Sequence, residues 1–179
     1  SVIANSKGLA SLASQFAPDL EFGIIHNGIH TDKFIPAEDK EITAPLKLLT
    51  VCRLIKRKRI GLMIEALARL NLMGIDAELD IIGDGNIKPE LVSLVVRLGL
   101  SRKVNFQGRV PPELMPAVYR DSDIFLMASI HEGMSNAMLE AMACGLPIVS
   151  TPCEGSDELV SDNGRIVSPD PEEIGRAHV

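Results

Sequence analysis

Short apolar runs alternate along the chain with longer segments in which apolar residues recur every three or four positions. The runs are typical of buried strands, and the longer segments are typical of amphipathic helices. We predict strands at residues 47–53, 77–82, 104–107, 124–128, 147–151 and 165–167. We predict helices at residues 61–72, 90–98, 112–119 and 135–144. Strands that alternate with helices across short loops predict an α/β fold with a doubly wound parallel sheet over residues 47–170.

Glycine and serine mark the ends of these predicted helices. Gly74, Gly99 and Gly145 follow three of them, at the position where a helix commonly ends in a left-handed residue. Ser135 stands at the start of the last one, where its hydroxyl can accept a hydrogen bond from the first turn.

Residues 1–46 follow a different pattern. A helix is predicted at 5–16, between strands at 1–4 and 22–26, and residues 36–46 form a charged linker bounded by prolines. We interpret residues 1–35 as the closing β-α-β piece of a preceding domain whose other parts are missing.

The other end of the chain raises a separate hypothesis. Residues 174–179 (IGRAHV) match one reading frame of a common sequencing adapter, so we interpret residues 171–179 as a truncated tail that is partly adapter read-through. The alternative is an ordinary helix that starts at Pro171. Re-sequencing the source DNA would reject the adapter interpretation if the same codons continue into an open frame.

Composition narrows the class of protein. The 179 residues include 18 Lys and Arg against 24 Asp and Glu, a net charge of −6, and 46% of them are hydrophobic. This balance is typical of a globular chain rather than a disordered one. The acidic charge and the aromatic content of 3% argue against a nucleic-acid partner, which would require basic surfaces and stacking side chains.

The lengths of the apolar runs and the spacing of the cysteines indicate the cellular compartment of the protein. The runs fall short of the ~20 residues that a membrane-spanning helix needs. Cys52, Cys144 and Cys153 show no Cys-x-x-Cys spacing, which is typical of a reducing compartment and excludes a zinc site built from cysteines. We therefore expect a cytoplasmic location.

Candidate binding chemistry lies in three loops that follow predicted strands. Ligands of doubly wound sheets bind outside the carboxyl ends of the strands, in the loops that lead into helices. The first loop holds Arg53 and a run of four cations at 56–59, and the second is Gly83-Asp84-Gly85. The third, at 131–136, runs straight into a helix.

The third loop predicts a phosphate and ribose site. A helix N-terminus attracts phosphate through its free amides and its dipole, and Gly133 lets a ligand approach the backbone. Asn136 and Glu140 are four residues apart and so share a helix face. Glu140 can then accept two ribose hydroxyls, as the acidic residue of dinucleotide folds does.

Charged residues on either side complete this predicted site. Glu132 precedes the helix and would lie near the group beyond the phosphates. Arg53 and Lys58 could neutralise a diphosphate leaving group without a metal ion.

The segment EGMSNAMLEAMACGLP, from Glu132 to Pro147, resembles the Glu-x7-Glu signature of family 4 retaining glycosyltransferases, which have the GT-B fold. Other landmarks of that family follow in order over nearly all of residues 1–170. They are Asn27-Gly28 with Phe34, Arg53 with Lys58, Ile82-Gly-Asp-Gly85, Val104-x-Phe106-x-Gly108, and Gly155 with Glu158.

The resemblance implies that residues 47–170 are a Rossmann-like, nucleotide-sugar-binding C-terminal domain and that residues 1–35 end the acceptor-binding domain. It implies catalytic roles for Arg53, Lys58 and Glu132, with the two cations on the diphosphate. It implies that donor binding uses Gly83, the backbone of Arg109 and Val110 beside the base, Gly133, Met134, Ser135, Asn136 and Glu140.

The implied reaction transfers a sugar from a nucleotide-diphosphate-sugar to a saccharide or lipid-linked acceptor with retention of configuration. The donor, such as a UDP- or GDP-sugar, is a substrate, and no cofactor, metal ion or nucleic acid is expected. The full-length protein could contact the cytoplasmic face of the membrane peripherally. Because half of the cleft is missing, we expect this chain alone to be unable to turn over.

The sequence departs from the family pattern at five positions. Cys52 and Arg59 replace glycines, His26 and Ala128 replace prolines, and Glu154 replaces one glycine of a pair. None of these changes removes a charged contact, but the altered loop leaves Lys56 open beside Lys58 as the phosphate ligand.

Other interpretations of the same residues stay open. Glu132 and Glu140 could be solvated acids or the two carboxylates of a glycosidase, and the cations could be a solvated face or a membrane-surface patch. Asp121-Ser-Asp123 imitates a metal-binding motif but precedes a strand, which favours a helix end. A nucleotide-sugar epimerase and a non-catalytic nucleotide-binding module are competing functions. A dehydrogenase is disfavoured because no Gly-x-Gly-x-x-Gly follows a strand.

Overall fold

The computed structural model describes residues 2–177, so residue 1 of the predicted first strand and residues 178–179 of the predicted tail lie outside the described residues. The strands are β1 Val2–Ala4, β2 Phe22–Ile24, β3 Leu46–Val51, β4 Ala77–Ile82, β5 Val104–Gly108, β6 Ile124–Met127, β7 Ile148–Ser150 and β8 Gly164–Ile166. The helices are α1 Lys7–Phe16, α2 Ile60–Leu72, α3 Lys88–Arg97, α4 Met115–Asp121, α5 Asn136–Ala143, α6 Ser156–Leu159 and α7 Pro171–Arg176.

Six of these strands form one parallel sheet in the order β5-β4-β3-β6-β7-β8. The chain moves outward from β3 to β5 and then returns to place β6 on the other side of β3. This order confirms the predicted doubly wound sheet. The carboxyl ends of β3 and β6 are neighbours at the point where the strand order reverses, which is where such sheets form their crevice.

Two apolar layers cover the two faces of this sheet. Neighbouring residues of β3 illustrate the division, because Leu48 packs in the cluster that includes α2 and α3, whereas Leu49 packs in the cluster that includes α4 and α5. Met134 and Met138 are buried in the second layer, as their helical spacing predicts for core residues. A sheet covered on both faces exposes its binding chemistry at the strand ends.

The local signals place most helix ends correctly. The Ser135 hydroxyl accepts from the Met138 amide (3.4 Å), and Gly145, at φ 77°, follows α5 as predicted. The predicted helix at 112–119 instead spans Met115–Asp121, because Pro116 rather than Pro112 occupies the first turn. A 3-10 turn, Lys56–Lys58, and the four-residue helix α6 were not predicted.

The segment before β3 forms the predicted β-α-β unit and rests on the domain that follows. β1 pairs in parallel with β2, and α1 connects them. The Asn27 side-chain amide donates to the Met134 carbonyl (2.9 Å), and the Gly8 amide donates to Glu158 Oε1 (3.2 Å). In the linker, Lys40 pairs with Asp123 (2.9 Å). That residues 1–35 end an acceptor-binding domain stays a prediction.

Residues 171–176 form α7, which packs along α2 with Ile174 buried. Asp170 caps this helix by accepting from the Glu172 amide (2.8 Å), so a local helix starts at Pro171. The adapter hypothesis concerns the origin of the codons and stays a prediction. No helix within residues 2–177 is both long enough and apolar enough to cross a membrane.

Candidate functional site

A cavity of about 1100 Å³ opens at the carboxyl ends of β3, β4 and β5. Ligand pockets commonly have volumes of ~300–1,000 Å³, so this one has ample room for a nucleotide. Five of the predicted site residues line it: Arg53, Gly83, Arg109, Val110 and Glu140. Predicted residues from three separate loops and one helix therefore meet in a single cavity.

Gly83 lies where two strand ends approach each other closely. Its φ of 125° belongs to the region that favours glycine, and a Cβ at this position would lie 1.9 Å from the Cys52 carbonyl oxygen. The Gly83 amide also donates to the Gly108 carbonyl (2.6 Å). Packing of the backbone already accounts for this glycine, which shapes the floor of the cavity.

Glu140 presents a half-buried carboxylate on α5 to this cavity. Its Oε2 accepts a hydrogen bond from the hydroxyl of Tyr119 (2.7 Å). Burial raises the pKa of Glu140, and the hydrogen bond from Tyr119 lowers it in part. The carboxylate is therefore held by a neutral donor in a partly desolvated wall.

Tyr119, the hydrogen-bond donor to Glu140, was not predicted from the sequence. It is fully buried on α4, with Phe34 at 5.9 Å and Phe125 at 6.2 Å between ring centroids. Burial and the nearby carboxylate raise the pKa of the Tyr119 hydroxyl, so it remains a donor. The available signal was that this is the only tyrosine in the sequence and lies in a helix next to the predicted site.

Lys58 and Glu132 form an ion pair across the loops that follow β3 and β6. Lys58 is buried, whereas Lys56 and Arg57 are exposed, which distinguishes Lys58 from its neighbours in the cation run. The Ile130 amide donates to the Arg57 carbonyl (2.8 Å), so the two loops are also joined by their backbones. The pair lies near the ends of β3 and β6, where the strand order reverses. Neither Lys58 nor Glu132 is among the residues that line the cavity.

Glu154, noted in the sequence only as a departure from the family pattern, anchors the same loop. Its Oε2 accepts from the Glu132 amide (2.9 Å), and its Oε1 lies 2.6 Å from His131 Nδ1. Burial raises the pKa of Glu154, but the bonds from His131 and from backbone amides outweigh it and hold that pKa below its usual value. Glu154 is therefore an anion at neutral pH that fixes the backbone before Glu132.

The amide end of α5 is covered by residues from the N-terminal segment. A Cβ at Gly133 would lie 2.3 Å from Asn5 Oδ1, and the Met134 amide donates to that same oxygen (3.2 Å). Asn136 is exposed, and its Oδ1 accepts from Asn27 (2.8 Å), so it does not join Glu140 in the cavity wall. The Ser135 hydroxyl caps the helix. A polar side chain thus occupies the space predicted for a ligand beside Gly133.

Asp121 of the Asp-Ser-Asp motif ends helix α4, as expected, and both aspartates of the motif have lysine partners. Asp121 accepts from the Lys47 ammonium (2.9 Å) as α4 ends. Asp123 is buried, accepts from the Lys47 amide (2.8 Å) and pairs with Lys40. These contacts account for both carboxylates as structural groups.

Comparison with known proteins gives a consistent result. Residues 45–179 match the family described as "Glycosyl transferases group 1". The amylovoran biosynthesis glycosyltransferase AmsK of Erwinia amylovora is 32% identical over 158 residues. An N-acetylgalactosaminyltransferase of Campylobacter jejuni, whose name specifies a diphospho-undecaprenol substrate, is 34% identical over 168 residues. The structure of Anabaena HepE with UDP and glucose superposes with a TM-score of 0.82 at 24% identity.

The match extends over only part of each known protein. AmsK aligns with 85% of this chain but with 39% of its own length, and the Campylobacter transferase with 90% and 44%. HepE aligns with 98% of this chain and 51% of its own. The chain therefore spans about half the length of the proteins it matches.

Proposed function

Because the chain belongs to the group 1 glycosyltransferases, we propose that it is the donor-binding part of a retaining glycosyltransferase that uses a nucleotide-diphosphate-sugar. The observation that carries this proposal is the cavity at the sheet edge, which is lined by Arg53, Arg109 and the half-buried Glu140 together. Cations and a hydroxyl acceptor are the groups that a diphosphate and a ribose require.

The proposed roles of Glu140, Arg109, Val110 and Arg53 follow their positions in the cavity lining. Glu140 accepts the ribose hydroxyls from the cavity wall, and the backbone of Arg109 and Val110 faces the base. Arg53, exposed at the mouth, binds the diphosphate. Lys58 and Glu132 pair with each other outside the cavity lining, so their roles are proposed from the family resemblance alone: Lys58 binds the diphosphate and Glu132 contacts the donor sugar.

The cations also explain how the sugar could leave. As the bond between the sugar and the diphosphate breaks, negative charge gathers on the phosphate oxygen that departs. Arg53 and Lys58 stabilise that charge, because fixed cations act strongly where charge develops in a transition state. We propose on this basis that the reaction needs no metal ion, and activity of the full-length enzyme that survives EDTA would test this.

The acceptor half of the reaction is proposed from the family. The acceptor is a saccharide or a lipid-linked saccharide, bound mainly by parts of the protein that this chain does not include. We propose a cytoplasmic location, supported by three free cysteines, with peripheral contact to the membrane in the full-length protein. The isolated 179 residues should bind donor without transferring sugar.

A melting experiment with nucleotides tests the donor site. UDP, GDP and ADP are added in turn to the purified chain, since a ligand that binds only the folded state raises the melting temperature. We expect one nucleotide to raise it by several degrees, and Glu140→Ala to abolish the shift. Glu65→Ala, a partly buried glutamate on α2 outside the cavity, is the matched control and should retain it.

The outcomes separate clearly. A shift that Glu140→Ala removes and Glu65→Ala keeps supports the donor site and identifies the base. A shift that survives Glu140→Ala places the nucleotide elsewhere and contradicts the ribose role. Absence of any shift, both in this chain and in the full-length protein, contradicts the nucleotide proposal itself.

A further inference from the structure

Behind the cavity wall lies a buried phenol whose hydroxyl bonds to one oxygen of Glu140, the candidate ribose-binding carboxylate. Tyr119 donates to Glu140 Oε2 at 2.7 Å, and its side chain is fully buried. We propose that Tyr119 is a positioning residue that orients the Glu140 carboxylate for the two ribose hydroxyls. This inference rests on the proposed function, in which Glu140 binds the ribose.

The two carboxylate oxygens of Glu140 have different hydrogen-bond environments. Oε2 receives the Tyr119 hydroxyl and Glu140 lines the cavity, so Oε1, which accepts no hydrogen bond among the described residues, is left for a ligand there. A glutamate side chain has three rotatable torsions, and without a fixed partner its carboxylate would sample several orientations. A single bond at one oxygen therefore selects the orientation that a vicinal diol requires.

Tyr119 is itself held rigidly. Phe34 packs edge-on at an interplanar angle of 69°, and the Phe125 ring packs against Tyr119 at an angle of 44°. Because none of its surface is exposed, Tyr119 cannot touch a ligand and must act through Glu140. Phe34 also lines the cavity, so the same aromatic cluster supports the wall and the residue behind it.

A phenol suits this place better than a cation would. Burial disfavours the charged carboxylate, and a hydrogen bond from a neutral donor offsets part of that cost. An arginine or lysine at the same position would also neutralise Glu140 and would compete with the ribose hydroxyls for it. The hydroxyl of Tyr119 supports the anion and leaves its remaining acceptor capacity available.

Other ionisable groups share this environment and must be kept constant in any test. Cys144 follows Glu140 by four residues, at the C-cap of the same helix, and interacts with it electrostatically. The ionisable side chains that line the cavity with Glu140 are His30, Lys33, Cys52, Arg53, Asp84, Arg109 and Glu113. A comparison of variants that leave all of these in place cancels their contributions.

The experiment is Tyr119→Phe in the purified chain, titrated with UDP, GDP and ADP by calorimetry. Phenylalanine keeps the ring packed against Phe34 and Phe125 and removes only the hydroxyl. We expect affinity for the nucleotide that binds wild type to fall about tenfold, the size of one hydrogen bond to a charged group. Ser122→Ala is the matched control, because it removes a buried hydroxyl at the end of the same helix that bonds only to Val118 (2.9 Å).

A pH series distinguishes positioning from loose packing. Loss of the Tyr119 bond raises the pKa of Glu140 further, so affinity should begin to fall at a higher pH in Tyr119→Phe than in wild type. Carbon-13 NMR of the Glu140 carboxyl group gives the same pKa without any ligand. Packing damage alone would weaken binding equally at every pH and leave this titration unchanged.

Each result decides a separate claim. Weaker binding with the shifted pH profile, and an unchanged Ser122→Ala variant, supports the positioning role. If Glu140→Ala abolishes binding but Tyr119→Phe binds as wild type at every pH, the positioning role is overturned and the proposed function stands. If neither this chain nor the full-length protein binds any of the three nucleotides, the proposed function is overturned, and the positioning role is overturned with it.

Discussion

Two carboxylates eight residues apart, Glu132 and Glu140, experience opposite environments at one edge of the sheet. Glu132 lies in the loop after β6, where the Lys58 ammonium pairs with it. Glu140 lies in the cavity wall, where a phenol is its partner. The first is held by charge and the second by a neutral hydrogen bond.

The backbone around each carboxylate differs in the same way. The loop before α5 is fixed by a further carboxylate, since Glu154 accepts from the Glu132 amide and bonds to His131. The cavity wall is fixed by aromatic packing around Tyr119. Glutamates at the same sheet edge can thus be given different tasks by their neighbours alone.

The largest expected effect comes from breaking the ionic region, by which we mean the Lys58–Glu132 ion pair and the Glu154 contacts that fix its loop. Lys58→Ala leaves Glu132 with 21% of its side chain exposed and without its cation, so the folded state should lose about 2–3 kcal/mol of stability. Urea unfolding at pH 7 measures this loss as a lower midpoint. The exposed neighbour Lys56 provides the control, and Lys56→Ala should change stability by less than ~0.5 kcal/mol.

A double variant sharpens that result. Lys58→Met combined with Glu132→Gln removes both charges together, and most of the lost stability should return because no unpaired charge remains. Equal losses in Lys58→Ala and Lys56→Ala would mean that the ion pair contributes nothing to the folded loop. The contrast with the cavity wall would then fail.

Lowering the pH should reduce the stability contributed by Glu154 and increase the stability contributed by Glu140. The folded state lowers the pKa of Glu154, so its ionised form adds stability above the unfolded value of 4.5, and this is lost as pH falls through the lowered pKa. The folded state raises the pKa of Glu140, so stability falls as pH rises from 4.5 through the raised pKa.

Glutamine variants measure these signs directly. At pH 7 Glu154→Gln should be less stable than wild type by about 1 kcal/mol, and the difference should vanish in acid. Glu140→Gln should be slightly more stable than wild type at pH 7, and this gain should vanish below pH 4.5. The exposed pair Glu172–Arg176 supplies the control, because Glu172→Gln should matter little at any pH. Shifts of the same sign at Glu154 and Glu140 would contradict the comparison.

The fold was predictable because it depends on local patterns. The periods of the apolar residues and signals such as Ser135 and Gly145 are short-range features that survive into the structure. The helix at Met115–Asp121 was displaced because two prolines, Pro112 and Pro116, offered rival starting points. Sequence alone does not rank two such positions when tertiary packing decides between them.

The site was predictable only in its residue types. Glu140, Arg53 and Arg109 come together as expected, because the carboxyl ends of parallel strands meet at one edge. Partners depend instead on contacts across long stretches of chain, such as Lys58 with Glu132, 74 residues apart, and Asn5 with Met134, 129 apart. No periodic pattern encodes such pairings, which is also why Tyr119 was missed.

The smallest expected effect concerns the backbone of the ionic region. Arg59 directly follows Lys58 and has a φ of 45° at the start of α2, a left-handed conformation that non-glycine residues adopt at a cost. Arg59→Gly should relieve this cost and stabilise the fold by about 0.5–1 kcal/mol, seen as a higher urea midpoint. Arg57→Gly, in the same loop without a positive φ, should instead lose a similar amount. If both variants lose stability equally, the Arg59 side chain contributes more than its strained backbone costs, and the ionic region holds Lys58 without local strain.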